Sequence, residues 1–133
     1  MPRAEVAVLR TRPDTVLEDY GRLARRAGLA RVLDPRSELL LKLNLSWTKY
    51  FPSCSTEPWQ LEGVLLALFE AGFSADRILP IENKTVVTNP REGCRNNRWE
   101  PVLQKFGLRF RPLPEEEWIV YRFKTPLLRL NEI

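Results

Sequence analysis

Glu38-Leu39-Leu40-Leu41-Lys42-Leu43-Asn44 is the stretch on which the fold turns. A turn signal, Asp34-Pro35-Arg36-Ser37, precedes it and a hydroxyl-rich loop follows. A continuous apolar run of this length reads as a strand covered on both faces, the habit of parallel sheets. Leucine is a weak strand former, so the assignment rests on length and flanks. Downstream, Thr56-Glu57-Pro58 opens a helix, with Thr56 as cap and proline in the first turn. Leu61, Val64, Leu65, Leu68 and Phe69 then recur at i, i+3, i+4, i+7 and i+8, and Gly72 stops the helix. Arg77–Glu82 is a second apolar strand, in which Pro80 favours an edge or a bulge.

The pattern continues outward in both directions. Upstream, Glu5–Leu9 reads as a strand, and Thr15 with Glu18 fits a capping box for a helix carrying Val16, Tyr20, Leu23, Ala24 and Ala27. Downstream, a polar loop covers Asn83 to Asn97. Trp99, Val102, Leu103 and Phe106 mark a third helix. Leu108–Leu113, Trp118–Phe123 and Leu127–Leu130 are strand-like. The order β-α-β-α-β-α-β-β-β predicts right-handed crossovers. The expected fold is a single α/β domain over residues 1–133: a three-layer, Rossmann-like, mostly parallel sheet flanked by helices, with extra C-terminal strands.

Composition narrows the chemistry. The 133 residues are 44% hydrophobic and 29% charged, which is globular. No apolar run approaches a membrane span, and Met1–Glu5 lacks a signal-peptide layout, so a cytoplasmic protein without membrane contact is expected. Histidine is absent, which excludes Ser-His-Asp triads, Cys-His dyads and His-ligated zinc within these residues. Two cysteines, Cys54 and Cys94, are too few for a disulfide scaffold or a four-cysteine cluster. The net charge of +4 permits an anionic partner without demanding one. GxGxxG, Walker and GxSxG motifs are missing.

Ligands of open α/β sheets bind beyond the carboxyl ends of strands. Two long loops, 45–56 and 83–97, leave from such ends. Lys42 and Asn44 close one strand, Glu82 and Lys84 follow the next, and Ser55 and Thr56 stand at a helix start. Together they could hold a phosphate or carboxylate. The plainer reading is that Ser55 and Thr56 only cap a helix and Lys42 is solvated. Arg91 and Arg95, with Arg98, could clamp a multiply charged anion or could be loop surface. Trp47, Tyr50 and Phe51 with Lys49 resemble a stacking platform; a loop folded onto its own core, or a partner contact, is preferred.

Lys42-Leu43-Asn44, Thr56-Glu57-Pro58, Ala71-Gly72 and a strand ending in Glu82 occur in that order. The sequence thereby resembles the N-terminal part of the domain of unknown function 362 family, whose members show K-x-N, Thr-x-Pro, Ala-Gly and an acidic strand end. The match spans residues 38–83 best. Some members carry ferredoxin-like iron–sulfur clusters. The cysteine repeats for a cluster are missing here, so none is carried over and the cofactor stays open. Members continue further, with Lys-Thr-His and Lys-Asn segments. The resemblance therefore implies the N-terminal portion of a larger domain, or a shortened relative. It would supply half of an anionic-ligand or redox-linked active site. The alternative is a small interaction module without catalysis; nucleic acid is disfavoured because basic and acidic residues are interspersed. A homo-oligomer through the C-terminal strands, or a covering C-terminal half, is expected.

Overall fold

The computed structural model describes residues 6–125 and 131–133. Two helices open the chain, α1 (Val16–Arg26) and the short α2 (Leu29–Val32). Strand β1 (Leu39–Lys42), helix α3 (Pro58–Glu70) and strand β2 (Ile78–Glu82) follow. Then come α4 (Pro90–Asn96), α5 (Trp99–Lys105) and β3 (Arg111–Pro112). The strands form one parallel sheet in the order β1-β2-β3, so the fold is α/β.

β2 lies in the centre, and Pro80 is therefore neither at an edge nor in a bulge. The register explains how it is tolerated. Leu43 donates its N–H to the Ile81 carbonyl at 3.0 Å, so the backbone groups of Ile81 face β1 and those of Pro80 face the other way. On that side β3 begins only opposite Ile81, and the ladder has no use for a donor at Pro80.

The strand order also decides which face is covered. Steps from β1 to β2 to β3 move in one direction, and right-handed crossovers then place α3 and α5 on the same face. The buried cluster agrees. It joins Leu61, Leu65 and Leu68 of α3 to Trp99, Val102 and Leu103 of α5, with Leu43 and Ile78 from the sheet. On the opposite face Leu40 is 64% exposed beside an exposed Lys42, so β1 is covered on one face only. The three-layer, Rossmann-like detail is matched only loosely.

Several local expectations need correction. Residues 6–9 form no strand, and Val6 and Val8 are exposed. Thr15 does not close a capping box with Glu18; its hydroxyl donates to Asp19 at 2.8 Å. The cap of α3 is Glu57 rather than Thr56, and the Gln60 side chain accepts the Glu57 N–H at 2.9 Å. The polar stretch 83–97 holds helix α4, started by Asn89, whose side chain accepts the Glu92 N–H at 3.0 Å ahead of Pro90 at the first position. Residues 118–123 do not join the sheet; of them, 121–123 meet 131–133 in a short antiparallel pairing. The strand expected at Leu127–Leu130 lies outside the described residues.

Candidate functional site

At the carboxyl ends of β1 and β2 the first candidates meet. The Glu82 carboxylate is buried, and Lys42 Nζ reaches it at 3.0 Å. The same carboxylate accepts the Leu45 N–H and the Asn83 N–H, each at 2.7 Å. Lys42 also donates to its neighbour's carbonyl at 3.0 Å. A buried carboxylate needs a cation and donors to be tolerated, and here it has both. The pair clasps the two strand ends, and its positive charge is already spent.

Asn44 and Thr56 form a second clasp. The Asn44 N–H donates to the Thr56 hydroxyl and the Thr56 N–H to the Asn44 carbonyl, both at 2.9 Å. The Ser55 hydroxyl is buried and accepts the Ser46 N–H at 3.2 Å. Asn44 Nδ2 reaches Ser46 Oγ at 3.1 Å, and Trp99 Nε1 holds the Thr56 carbonyl at 2.6 Å. These groups fold the 45–56 loop back over the strand end. The loop tightens further at Ser53, whose φ of 60° is held by a 2.6 Å hydrogen bond from its N–H to the Glu57 carboxylate.

The remaining candidates lie apart from this clasp. Arg91 on α4 makes a forked ion pair with Glu115, with Nε at 2.8 Å and 2.9 Å from its two oxygens. Lys84 is exposed, and its backbone N–H bonds Asn83 Oδ1 at 2.8 Å. Arg95 is exposed on α4 and has no ion pair among the described residues. Five of the eight candidates are thus gathered at the carboxyl ends of β1 and β2, and four of those five serve as internal fastenings of the loop and strand ends. The fifth, Lys42, is exposed but paired.

Between the two loops lies an open cleft of about 700 Å³. Trp47, Phe51 and Val87 give it apolar walls, Lys49 and Glu92 stand on its rim, and Cys54 lines it. Trp47 is 49% and Phe51 52% exposed, so this loop is not folded onto its own core. Thr48 ties the two sides together. Its hydroxyl accepts the Asn89 N–H at 2.8 Å, and its carbonyl accepts Asn96 Nδ2 at 3.0 Å. Arg95 stands one turn after Glu92 on α4 and does not itself line the cleft.

Glu92 becomes legible as a site residue once Asn89-Pro90-Arg91-Glu92 is taken as a helix start, whereas Thr48 and Val87 carry no such signal. Cys94, in contrast, is 1% exposed, and burial pushes its thiol up to about 12. It offers no thiolate for chemistry. A hollow of about 650 Å³ between α1, α2 and α3 has part of its charged rim, Arg25 and Glu70, paired to itself. Among the described residues no helix is long and apolar enough to cross a membrane, and no group of three or more Cys, Asp or Glu side chains could hold a metal ion. Neither a family model, nor a curated protein, nor a solved structure matches the chain.

Proposed function

We propose that this α/β chain binds a planar, negatively charged small molecule in the cleft at the carboxyl ends of β1 and β2. The observation that carries the reading is the pairing of exposed rings with spare cations. Trp47 and Phe51 line an open cleft half exposed, Lys49 lines it with them, and neither Lys49 nor the exposed Arg95 of α4 has a carboxylate partner among the described residues. Exposed aromatic rings bind other rings by stacking, worth about 1–3 kcal/mol each when the ligand is a base. A cation at the rim adds charge attraction to that contact. The order of Lys42-x-Asn44, Thr56-x-Pro58 and Glu82, which resembles that of domain of unknown function 362 proteins, is in keeping with a site at these strand ends. The anion is assigned to Lys49 and Arg95 rather than to Lys42 and Arg91, because Glu82 and Glu115 already neutralise the latter two.

Adenosine monophosphate, adenosine and inorganic phosphate, titrated separately against tryptophan fluorescence and thermal stability, test the reading. The nucleotide should quench saturably and raise the melting temperature by mass action, and added salt should weaken it. Trp47→Ala should abolish the quench, and Lys49→Ala should weaken it while leaving adenosine's response unchanged. An unaltered response in Trp47→Ala, or no saturable response to the nucleotide, would overturn the proposal.

A further inference from the structure

After β3 the chain leaves the sheet. Trp118 Nε1 donates to the Leu113 carbonyl at 2.8 Å, and the backbone then runs into the short ladder. The Tyr121 N–H bonds the Ile133 carbonyl at 2.8 Å, the Ile133 N–H returns to Tyr121 at 2.9 Å, and the Phe123 N–H bonds Asn131 at 2.9 Å. Continued back from Tyr121, the alternation of this ladder would turn the backbone groups of Val120 and Trp118, with those of Arg122, to the opposite edge. No described strand lies there. Trp118, Ile119, Val120 and Tyr121 are 67%, 80%, 71% and 54% exposed. A two-stranded ribbon is marginal in water by itself. An apolar edge of four residues without charge, proline or bulge is what folded proteins normally blunt.

We infer that this edge is where two copies of the chain pair, antiparallel and two-fold symmetric about Val120. The segment is complementary to its own reverse. With Val120 on the axis, the two Val120 residues exchange both backbone hydrogen bonds. Ile119 then stands opposite Tyr121 of the second copy, an aromatic–branched cross-strand pair. Trp118 stands opposite Arg122, whose guanidinium is paired with Glu132 of its own chain at 3.0 Å, and no like charges oppose each other. Two neighbouring axes through hydrogen-bonded positions are disfavoured. Moving the axis to Arg122 would set that cation against its own copy. Moving it to Trp118 would set Glu116 against Val120 and leave Arg122 without a ring. The product is a four-stranded antiparallel sheet with Ile119, Tyr121, Phe123 and Ile133 of both copies on one face. Tyr121 and Phe123 already pack edge to face there, with centroids 5.5 Å apart.

Sedimentation across a concentration series, on the wild type and on Val120→Pro, is the first test. The wild type should be a dimer that dissociates on dilution; Val120→Pro, lacking the donor on the axis, should be a monomer. The second is cross-linking of Val120→Cys in a Cys54→Ser background. Hydrogen-bonded partners across an antiparallel pair have Cα atoms about 5.5 Å apart, within disulfide reach. Mild oxidation should therefore give a covalent dimer, whereas Leu40→Cys on the open face of β1 should give none. A wild type that stays monomeric at every concentration, a Val120→Pro dimer, or cross-linking through position 40 instead of 120 would overturn the inference.

Discussion

Asp19 is a buried carboxylate that the fold has fully provided for. It is 4% exposed, and it accepts hydrogen bonds from the Thr11 and Thr15 hydroxyls at 2.7 Å and 2.8 Å and from Arg22 at 2.7 Å. The Thr11 hydroxyl first, and Thr15 next, hold its pKa below the usual 3.8. A group whose pKa is lowered by folding contributes its stability in full above the unfolded value and loses it as pH falls through the folded one. Asp19→Asn should therefore destabilise the chain near neutrality. Denaturant melts taken down through the acid range should show its gap from the wild type closing. A gap of constant size would mean that the charge on Asp19 does not matter. At the strand ends, Glu82 is tolerated at 5% exposure because Lys42 and two amides surround it.

Between elements, the closest fit is that of α1 on α3. Gly63 sits where a β-carbon would come within 2.3 Å of Tyr20 Cδ2, so the two helices approach through a missing side chain. Gly63→Ala improves helix propensity by about 1 kcal/mol but forces the Tyr20 ring aside, and overpacking of this kind costs about 1–3 kcal/mol. The net should be a loss of stability, checked by urea melts. Tyr20→Leu combined with Gly63→Ala should recover part of it. Helices with unmistakable periodicity were legible in the sequence, as the α3 stripe through Leu61, Leu65 and Leu68 was, and so were the two longer strands. What escaped was decided by competition among neighbours. Glu57 displaced Thr56 as cap because the Asn44 backbone had taken the Thr56 hydroxyl. The central place of β2 was hidden because Pro80 looks like an edge residue until its register is known. In the site, the sequence named the residues at the strand ends correctly as neighbours. It could not say that they would pair with one another, which is why the proposed ligand contact falls to Trp47, Phe51 and Lys49.

For the molecule as a whole, the two thiols report different depths. Cys54 borders the open cleft, whereas Cys94 is sealed in the core with its thiol pushed up by burial and by Glu100. Under native conditions an alkylating reagent should modify one equivalent, at Cys54, and reach Cys94 only at the rate of global opening. Mass spectrometry over a time course reads both. Early labelling of Cys94 would show that α4 and α5 open locally. The order β1-β2-β3 has no reversal, so the described sheet lacks the crevice that opens where neighbouring crossovers lie on opposite faces, and its cleft is built from loops instead. That same sequential order bears on how the protein is made. During synthesis each strand emerges next to the one it will pair with, and no later strand has to be inserted between two already joined. The sheet can grow from one side, in step with translation, each addition resting on a finished neighbour.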